Sequence, residues 1–247
     1  MYAVETKNLT KKYGEKTAVD RLNLSVREGE LYSLLGVNGA GKTTTIRMLT
    51  TLSAPTSGEA FLLGHNCVTE RAAVKQLVGI SPQDTAVAEN LTVAENLSFM
   101  ETVYGVDGAR RDALTKEIRS LFSLDDVWGA RAKTLSGGWK RKLSIAMALI
   151  GEPKVLFLDE PTLGLDVLAR RELWKAVQSL KGRITIVLTT HYMEEAEALS
   201  DRIAMMFSGR LAAEGTLGEI EERAGVKGLE NAFIALAEAG EGGDLHA

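Results

Sequence analysis

The residues Gly36-Val37-Asn38-Gly39-Ala40-Gly41-Lys42-Thr43-Thr44 follow the spacing G-x-x-x-x-G-K-[ST]. Glycines let a backbone bend until successive N–H groups point at one phosphate, and a following helix adds the positive end of its dipole. In such a loop Lys42 reaches the β- and γ-phosphates of a nucleotide and Thr43 offers its hydroxyl to Mg²⁺. The plainer reading is a glycine-rich turn with a surface lysine. The flanks favour the phosphate loop, because the apolar run Leu31-Tyr32-Ser33-Leu34-Leu35 predicts a strand before it and Thr45–Leu49 the start of a helix.

A second stretch determines what is done with the nucleotide. Lys154-Val155-Leu156-Phe157-Leu158-Asp159-Glu160 places four apolar residues before two acids, the pattern of a buried parallel strand. A carboxylate at the end of that strand, Asp159, sits beside Mg²⁺, and Glu160 accepts a proton from an attacking water. Two adjacent acids on a surface would mean little; ending a buried strand in a chain with a phosphate loop, they favour ATP hydrolysis. Leu135-Ser136-Gly137-Gly138 supplies another helix start with bare N–H groups, which as a bland alternative is an ordinary capped helix. Two anion-binding helix starts with one set of acids suggest that the second start serves a nucleotide on another copy of the chain.

The elements that must hold these residues alternate between strand and helix patterns. Short strands and turns run from Val4 to Val26, with a turn at Lys12–Glu15, and predict a small antiparallel sheet over one side of the nucleotide site. Tyr13 stands alone in that polar turn, either a surface ring or a platform for a base. A helix over about 43–51, a turn at Pro55–Gly58, a strand at Glu59–Gly64 and a short strand at Val78–Ser81 follow. Thr92-Val93-Ala94-Glu95 is a capping box, with Val93, Leu97, Met100 and Tyr104 on one helical face. Helices at Arg111–Phe122 and from Ser136 to Ile150 complete a mostly helical lobe at about 85–150. Afterwards come a helix at Ala169–Lys181, a buried strand at Ile184–Leu188, a short acidic helix at Met193–Ser200 and a strand at Arg202–Phe207. The fold class expected is α/β, a P-loop NTPase core whose mostly parallel sheet is flanked by helices, with an N-terminal antiparallel β subdomain and an inserted α-helical subdomain. The tail from Glu238 to Ala247 is expected to be loose.

Composition narrows the class of function. The 247 residues are 45% hydrophobic, enough for a sizeable core, and favour one domain with lobes. With 29 Lys and Arg against 33 Asp and Glu, a net charge of −4 disfavours nucleic-acid binding driven by overall charge, and no nucleic-acid partner is expected. Cys67 is the only cysteine, so no disulfide forms within the chain, and a reducing setting fits. His65 lies near it without further ligands at metal spacing. Met1–Thr6 carries no secretory pattern, and no stretch of about 18 residues is apolar throughout, so work at a membrane is expected to go through a partner.

The order of Tyr13, Gly36–Thr44, Gln83, Leu135–Gly138, Val155–Glu160, Leu165-Asp166 and His191 resembles the ATP-binding cassette ATPases over about residues 3–216. The resemblance implies that ATP is held by Tyr13, Gly36, Asn38, Gly39, Gly41, Lys42, Thr43 and Thr44, with Tyr13 stacked on adenine. It implies Mg²⁺ held by Thr43, Gln83 and Asp159, and catalysis by Glu160, His191 and Gln83. Ser136, Gly137 and Gly138 would clamp the γ-phosphate bound to the opposite subunit, and Asp166 would couple the two sites. Trp139 and Val167 depart from the family pattern, where a smaller residue and a proline are usual, and bear on dimer geometry. The implied partners are a second ATPase subunit, identical or different, and a separate transmembrane permease docked near Gln83 and Asp84–Tyr104. The implied location is cytoplasmic, peripheral on the inner face of the cell membrane. Gly228–Leu236 is similar to the C-terminal pattern of the subset that exports drugs, lipids or polysaccharides. The expected division is a cassette at 1–220, then a short C-terminal helix and loose tail at 221–247. The alternative is a soluble cassette ATPase acting on ribosomes or nucleic acid; such relatives usually carry two cassettes or a long coiled coil, and neither an internal repeat nor sustained heptads occur here. A nucleotide switch that hydrolyses poorly is disfavoured by Glu160.

Overall fold

Leu31–Leu35 (β4) is buried at all five residues, which places it in the middle of a sheet covered on both faces. The protein is described by a computed structural model over residues 1–243. Around β4 a six-stranded sheet has the order β11-β10-β4-β9-β8-β7, formed by Arg210–Gly215 (β11), Arg202–Phe207 (β10), Thr185–Thr190 (β9), Val155–Asp159 (β8) and Val78–Ser81 (β7). Every pairing is parallel except the β10–β11 hairpin. The register sets Asp159 beside Thr189 and Leu35 beside Thr190, so the strand ends carrying the chemistry lie at one edge of the sheet.

An antiparallel sheet packs over the other side of the phosphate-loop helix. It joins Tyr2–Tyr13 (β1) with Lys16–Leu22 (β2), Ser25–Arg27 (β3), Ser57–Leu62 (β5) and His65–Asn66 (β6). β1 is longer than the short strand expected at Val4–Thr6, because register shifts let one strand serve three neighbours, and the turn falls after Tyr13. Lys42–Leu49 (α1) lies between the sheets, where Ile46, Met48 and Leu49 join Val4, Leu34, Phe157 and Val187 in one core.

Between β7 and β8 the chain is helical. Val93–Tyr104 (α3) has the expected capping box at Thr92 and Glu95, but Tyr104 at its end is exposed while Asn96 is buried instead. Gly108–Leu121 (α4) starts three residues before the predicted Arg111, because the Asp107 side chain accepts from Arg110 N. Gly137–Leu149 (α5) starts after Ser136 and runs under β7, joined to it by the Ser81–Ser144 hydroxyl contact at 2.9 Å. Leu97, Ile118, Phe122, Leu143 and Leu173 belong to one core shared between this lobe and the sheet.

Val167–Leu180 (α6) and Met193–Leu199 (α7) cover the sheet's far face. Arg71–Leu77 (α2) forms a short helix that the spacing of its residues did not predict. Leu217–Ala224 (α8) and Leu229–Gly243 (α9) close the chain against β10 and β11, with Leu229, Ala232 and Phe233 inward. The expectation of a loose tail from Glu238 is corrected in where the helix ends: α9 continues to Gly243, carried by the helix-forming run Ala235–Ala239, whose Leu236 still packs against the core beneath it. Residues 244–247 of that tail lie outside the described residues.

Candidate active site

The phosphate loop is drawn tight by its own backbone. Gly36 N donates to Thr190 O at 3.2 Å, Ala40 N to Val37 O at 3.1 Å, and Thr45 N to Gly41 O at 2.9 Å. Gly41 has φ 101°, and a Cβ there would come 2.6 Å from Ala18 O, so only glycine fits. Lys42 is buried at the head of α1, donating to Gly36 O at 2.7 Å and Val37 O at 3.2 Å. Burial pulls its ammonium below the usual lysine value, and the Glu160 and Asp159 carboxylates partly restore it.

Both acids sit where the strand pattern placed them. Asp159 Oδ1 accepts from Thr43 Oγ1 at 3.1 Å and from the Thr189 hydroxyl. Glu160 has φ 46°, a left-handed conformation held by bonds from its N–H to Thr189 O at 3.1 Å and Thr189 Oγ1 at 3.0 Å. That turn brings its carboxylate between two side chains: Lys42 Nζ lies 3.5 Å from Oε1 and His191 Nδ1 3.3 Å from Oε2. Glu160 is 7% exposed, yet it lines a cleft of about 410 Å³ together with Tyr13, Asn38, Gly39, Gly41, Lys42, Thr43, Thr44 and Gln83. Tyr13 is half exposed at the rim, its ring faced by Lys11 Nζ at 5.1 Å from the centroid.

Two residues of this site carry no motif of their own. Thr189 ends the apolar run of β9 and ties both acids together, a placement only the β8–β9 register shows. Arg141 is 4% exposed and spans the cleft wall, donating to Pro82 O at 2.6 Å, Gln83 O at 2.7 Å and Glu160 O at 3.3 Å. Its place shortly after the stretch Leu135–Gly138 belongs to the family resemblance, and the α5 face it shares with Ser144, Ile145 and Ala148, all buried, is the signal that marks it as an inward cation. Burial pulls its guanidinium below the usual arginine value, against the pull of Asp159, Asp84, Glu195 and Glu160.

The remaining predicted residues are not in the cleft. Ser136 and Gly137 are exposed at the start of α5, with Ser136 Oγ accepting from Trp139 N at 3.5 Å and open space around Gly137. Trp139 is held there by Lys142, whose Nζ lies 4.5 Å from the ring centroid and 2.7 Å from Glu172 Oε2. Asp166 is exposed at the start of α6, accepting from Leu168 N and Ala169 N at 2.9 Å each, and Val167 beside it is 62% exposed. A larger cavity of about 810 Å³ lies between α3 and α4, lined by Glu101, Arg111, Lys116, Arg119 and Trp128 among others, and contains none of these residues.

Residues 19–163 match the model of a protein family described as ABC transporter. The chain belongs to the ABC transporter family. Over 224 residues this cassette is 43% identical to the daunorubicin/doxorubicin resistance ATP-binding protein DrrA of Streptomyces peucetius, covering 90% of the chain and 68% of that protein. It is 39% identical over 240 residues to the probable multidrug ABC transporter ATP-binding protein YbhF of Escherichia coli, covering 94% of the chain and 41% of YbhF. It is 45% identical over 202 residues to the human phospholipid-transporting ATPase ABCA3, spanning 12% of that much longer protein. Among solved structures, an ATP-binding subunit of an ABC transporter superposes with a TM-score of 0.86 at 29% identity, covering 95% of this chain and 99% of that one. A dimeric ATP-binding cassette in a post-hydrolysis state, bound to ADP and Pi, superposes with a TM-score of 0.77 at 27% identity, covering 87% and 98%. The chain is thus an ABC ATPase with the P-loop NTPase fold. Among the described residues no helix is long and apolar enough to cross a membrane.

Proposed function

We propose that this cassette hydrolyses ATP to drive export of an amphipathic drug or lipid through a separate membrane permease. The observation that carries the reading is the Glu160 carboxylate, held between Lys42 and His191 and one residue beyond the Asp159–Thr43 pair. The loop N–H groups and Lys42 hold the β- and γ-phosphates, and the Tyr13 ring stacks on adenine at the rim. Thr43 Oγ1 and Asp159 Oδ1, hard oxygen donors 3.1 Å apart, suit Mg²⁺, with Gln83 as a further ligand. Bound there, Mg²⁺ neutralises the phosphate charge that develops on transfer. Glu160 takes a proton from the attacking water, His191 contacts the γ-phosphate, and Gln83 carries the change toward the helical lobe.

Ser136, Gly137 and Gly138 of a second subunit close the cleft over the nucleotide, and Asp166 then joins the two sites. Residues 1–220 form the cassette and 221–247 a C-terminal extension, whose described residues pack against β10 and β11. The permease docks on the helical lobe near Gln83 and α3, where Phe99 and Val103 expose apolar side chains beside the 810 Å³ cavity. This places the chain on the inner face of the cell membrane. The names of DrrA, YbhF and ABCA3, which speak of drug resistance, multidrug transport and phospholipid transport, support the substrate class. The test is co-purification with the membrane protein and an ATPase assay in lipid. Turnover stimulated by the permease and by an amphipathic substrate is expected; an ATPase indifferent to every permease that it co-purifies with would overturn the reading.

A further inference from the structure

Behind the loops that reach the cleft lies a carboxyl that the chemistry above does not use. Glu195, on α7, is 0% exposed. Its Oε1 accepts from Trp174 Nε1, on α6, at 3.0 Å. Burial pushes this carboxyl above the usual carboxylate range, against the pull of the Thr190, Trp174 and Thr162 donors and the Arg170 guanidinium. Glu195 Oε2 and Thr162 Oγ1, both buried, have no hydrogen-bond partner within the protein. A carboxyl in such a place is costly unless its neighbours hold it.

Those neighbours belong to the two loops whose positions matter to the dimer. Thr190 directly precedes His191, and its hydroxyl also accepts from Tyr192 N at 2.9 Å, which fixes the turn that presents the imidazole. Thr162 is 1% exposed and opens the loop from Glu160 to Asp166, where Thr162 O accepts from Leu165 N at 3.1 Å. Arg170, one turn into the helix that Asp166 caps, stacks 4.7 Å from the Tyr192 ring centroid. One side chain therefore stands between the His191 loop, the Asp166 loop and α6.

We propose that Glu195 is a positioning residue that locks the loop bearing His191 to the loop bearing Asp166, so that the γ-phosphate contact in one site and the dimer contact to the other move together. This rests on the functional reading above. Glu195 touches neither nucleotide nor water; it acts through its hydrogen bond from Trp174, which joins α7 behind the His191 loop to the helix that Asp166 caps.

The test compares wild type, Glu195→Ala, Glu195→Gln and Trp174→Phe for ATP turnover, affinity for a fluorescent ATP analogue, and ATP-dependent dimerisation in a Glu160→Gln background. Loss of loop alignment at Glu195→Ala is expected to lower kcat about tenfold or more while analogue affinity stays within about twofold, since misplacement taxes the reacting geometry rather than binding. The same change weakens the ATP-dependent dimer. Glu195→Gln, which keeps an acceptor for Trp174 and gains donors for the two hydroxyls, restores both readouts. Trp174→Phe repeats the loss more mildly, and it carries the test where Glu195→Ala fails to fold. Unchanged kcat and dimerisation in Trp174→Phe and in a folded Glu195→Ala would overturn the proposal, as would a Gln variant as impaired as Ala. A wild-type chain that neither hydrolyses ATP nor dimerises would instead sink the functional reading.

Discussion

Glu160 owes its reach to one backbone angle and two hydrogen bonds from its N–H to Thr189, so its chemistry and its placement can be separated by substitution. Glu160→Gln keeps the shape and removes the proton acceptor. Turnover is expected to fall at least about a hundredfold, the lower range of a general base's contribution. ATP affinity stays near wild type, and a nucleotide-bound dimer accumulates on gel filtration; wild-type turnover would remove Glu160 as the base. The one cysteine gives a second residue-scale outcome. Cys67 is buried, donates its thiol to Leu49 O at 3.4 Å, and burial pushes its pKa up to about 12. At pH 8 only about one native thiol in ten thousand is ionised, against roughly a quarter in the unfolded chain. Labelling by a disulfide reagent is therefore expected to proceed only through opening. The folded state holds this proton more tightly, so the linked stability is whole below about pH 8.5 and declines as pH rises from there toward 12. Fast labelling of the native protein at pH 8 would contradict the burial. At this scale Lys42, Thr43, Asp159 and Glu160 were legible because each sits in a local pattern, whereas Thr189, Arg141 and Glu195 were not. Their partners lie on other elements, and only the register of β8 with β9 or the burial of an α5 face reveals them.

Elements were legible where one periodicity dominated and obscured where tertiary pairing decided the length. The buried strands β4, β8 and β9, and the capped helices α3 and α5, follow from apolar runs and caps that their own residues supply. β1 was read as a short strand because its twelve residues alternate poorly, each register shift moving the inward face. α2 was missed because its seven residues bury only Val74 and leave no apolar stripe to detect. The contact between α5 and β7 carries the prediction at this scale. A Cβ on Gly79 would stand 2.3 Å from Ala148 O and 2.9 Å from Pro153 Cγ, so Gly79→Ala must push α5 off the strand. A cost of about 1–3 kcal/mol is expected, as for other overpacked sites, read as a thermal midpoint lowered by several degrees. An unchanged midpoint would show that the lobe yields freely there.

At the scale of the whole molecule, the helix start at Ser136 and the acids at Asp159 and Glu160 belong to one chain but not to one cleft. Leu163, Val167 and Leu168 expose apolar side chains around Asp166, on the loop that follows Glu160, and such surface is stabilised by a partner. If a second copy supplies Ser136, Gly137 and Gly138 across bound ATP, turnover per subunit must fall as the protein is diluted below its dimerisation constant, because dimers form with the square of concentration. The stronger consequence is complementation between two inactive chains. Ser136→Arg keeps its own loop and acids but blocks the clamp it offers, whereas Glu160→Gln keeps the clamp but loses its base. In a mixed dimer the Glu160 of the first and the Ser136 of the second meet at one nucleotide, restoring one complete site in every such pair. Mixing the two variants should thus recover activity that neither shows alone, up to about a quarter of wild type at equal amounts, since half of random pairs are mixed and each holds one of two sites. Turnover independent of dilution, together with no recovery on mixing, would place the whole catalytic site within a single chain.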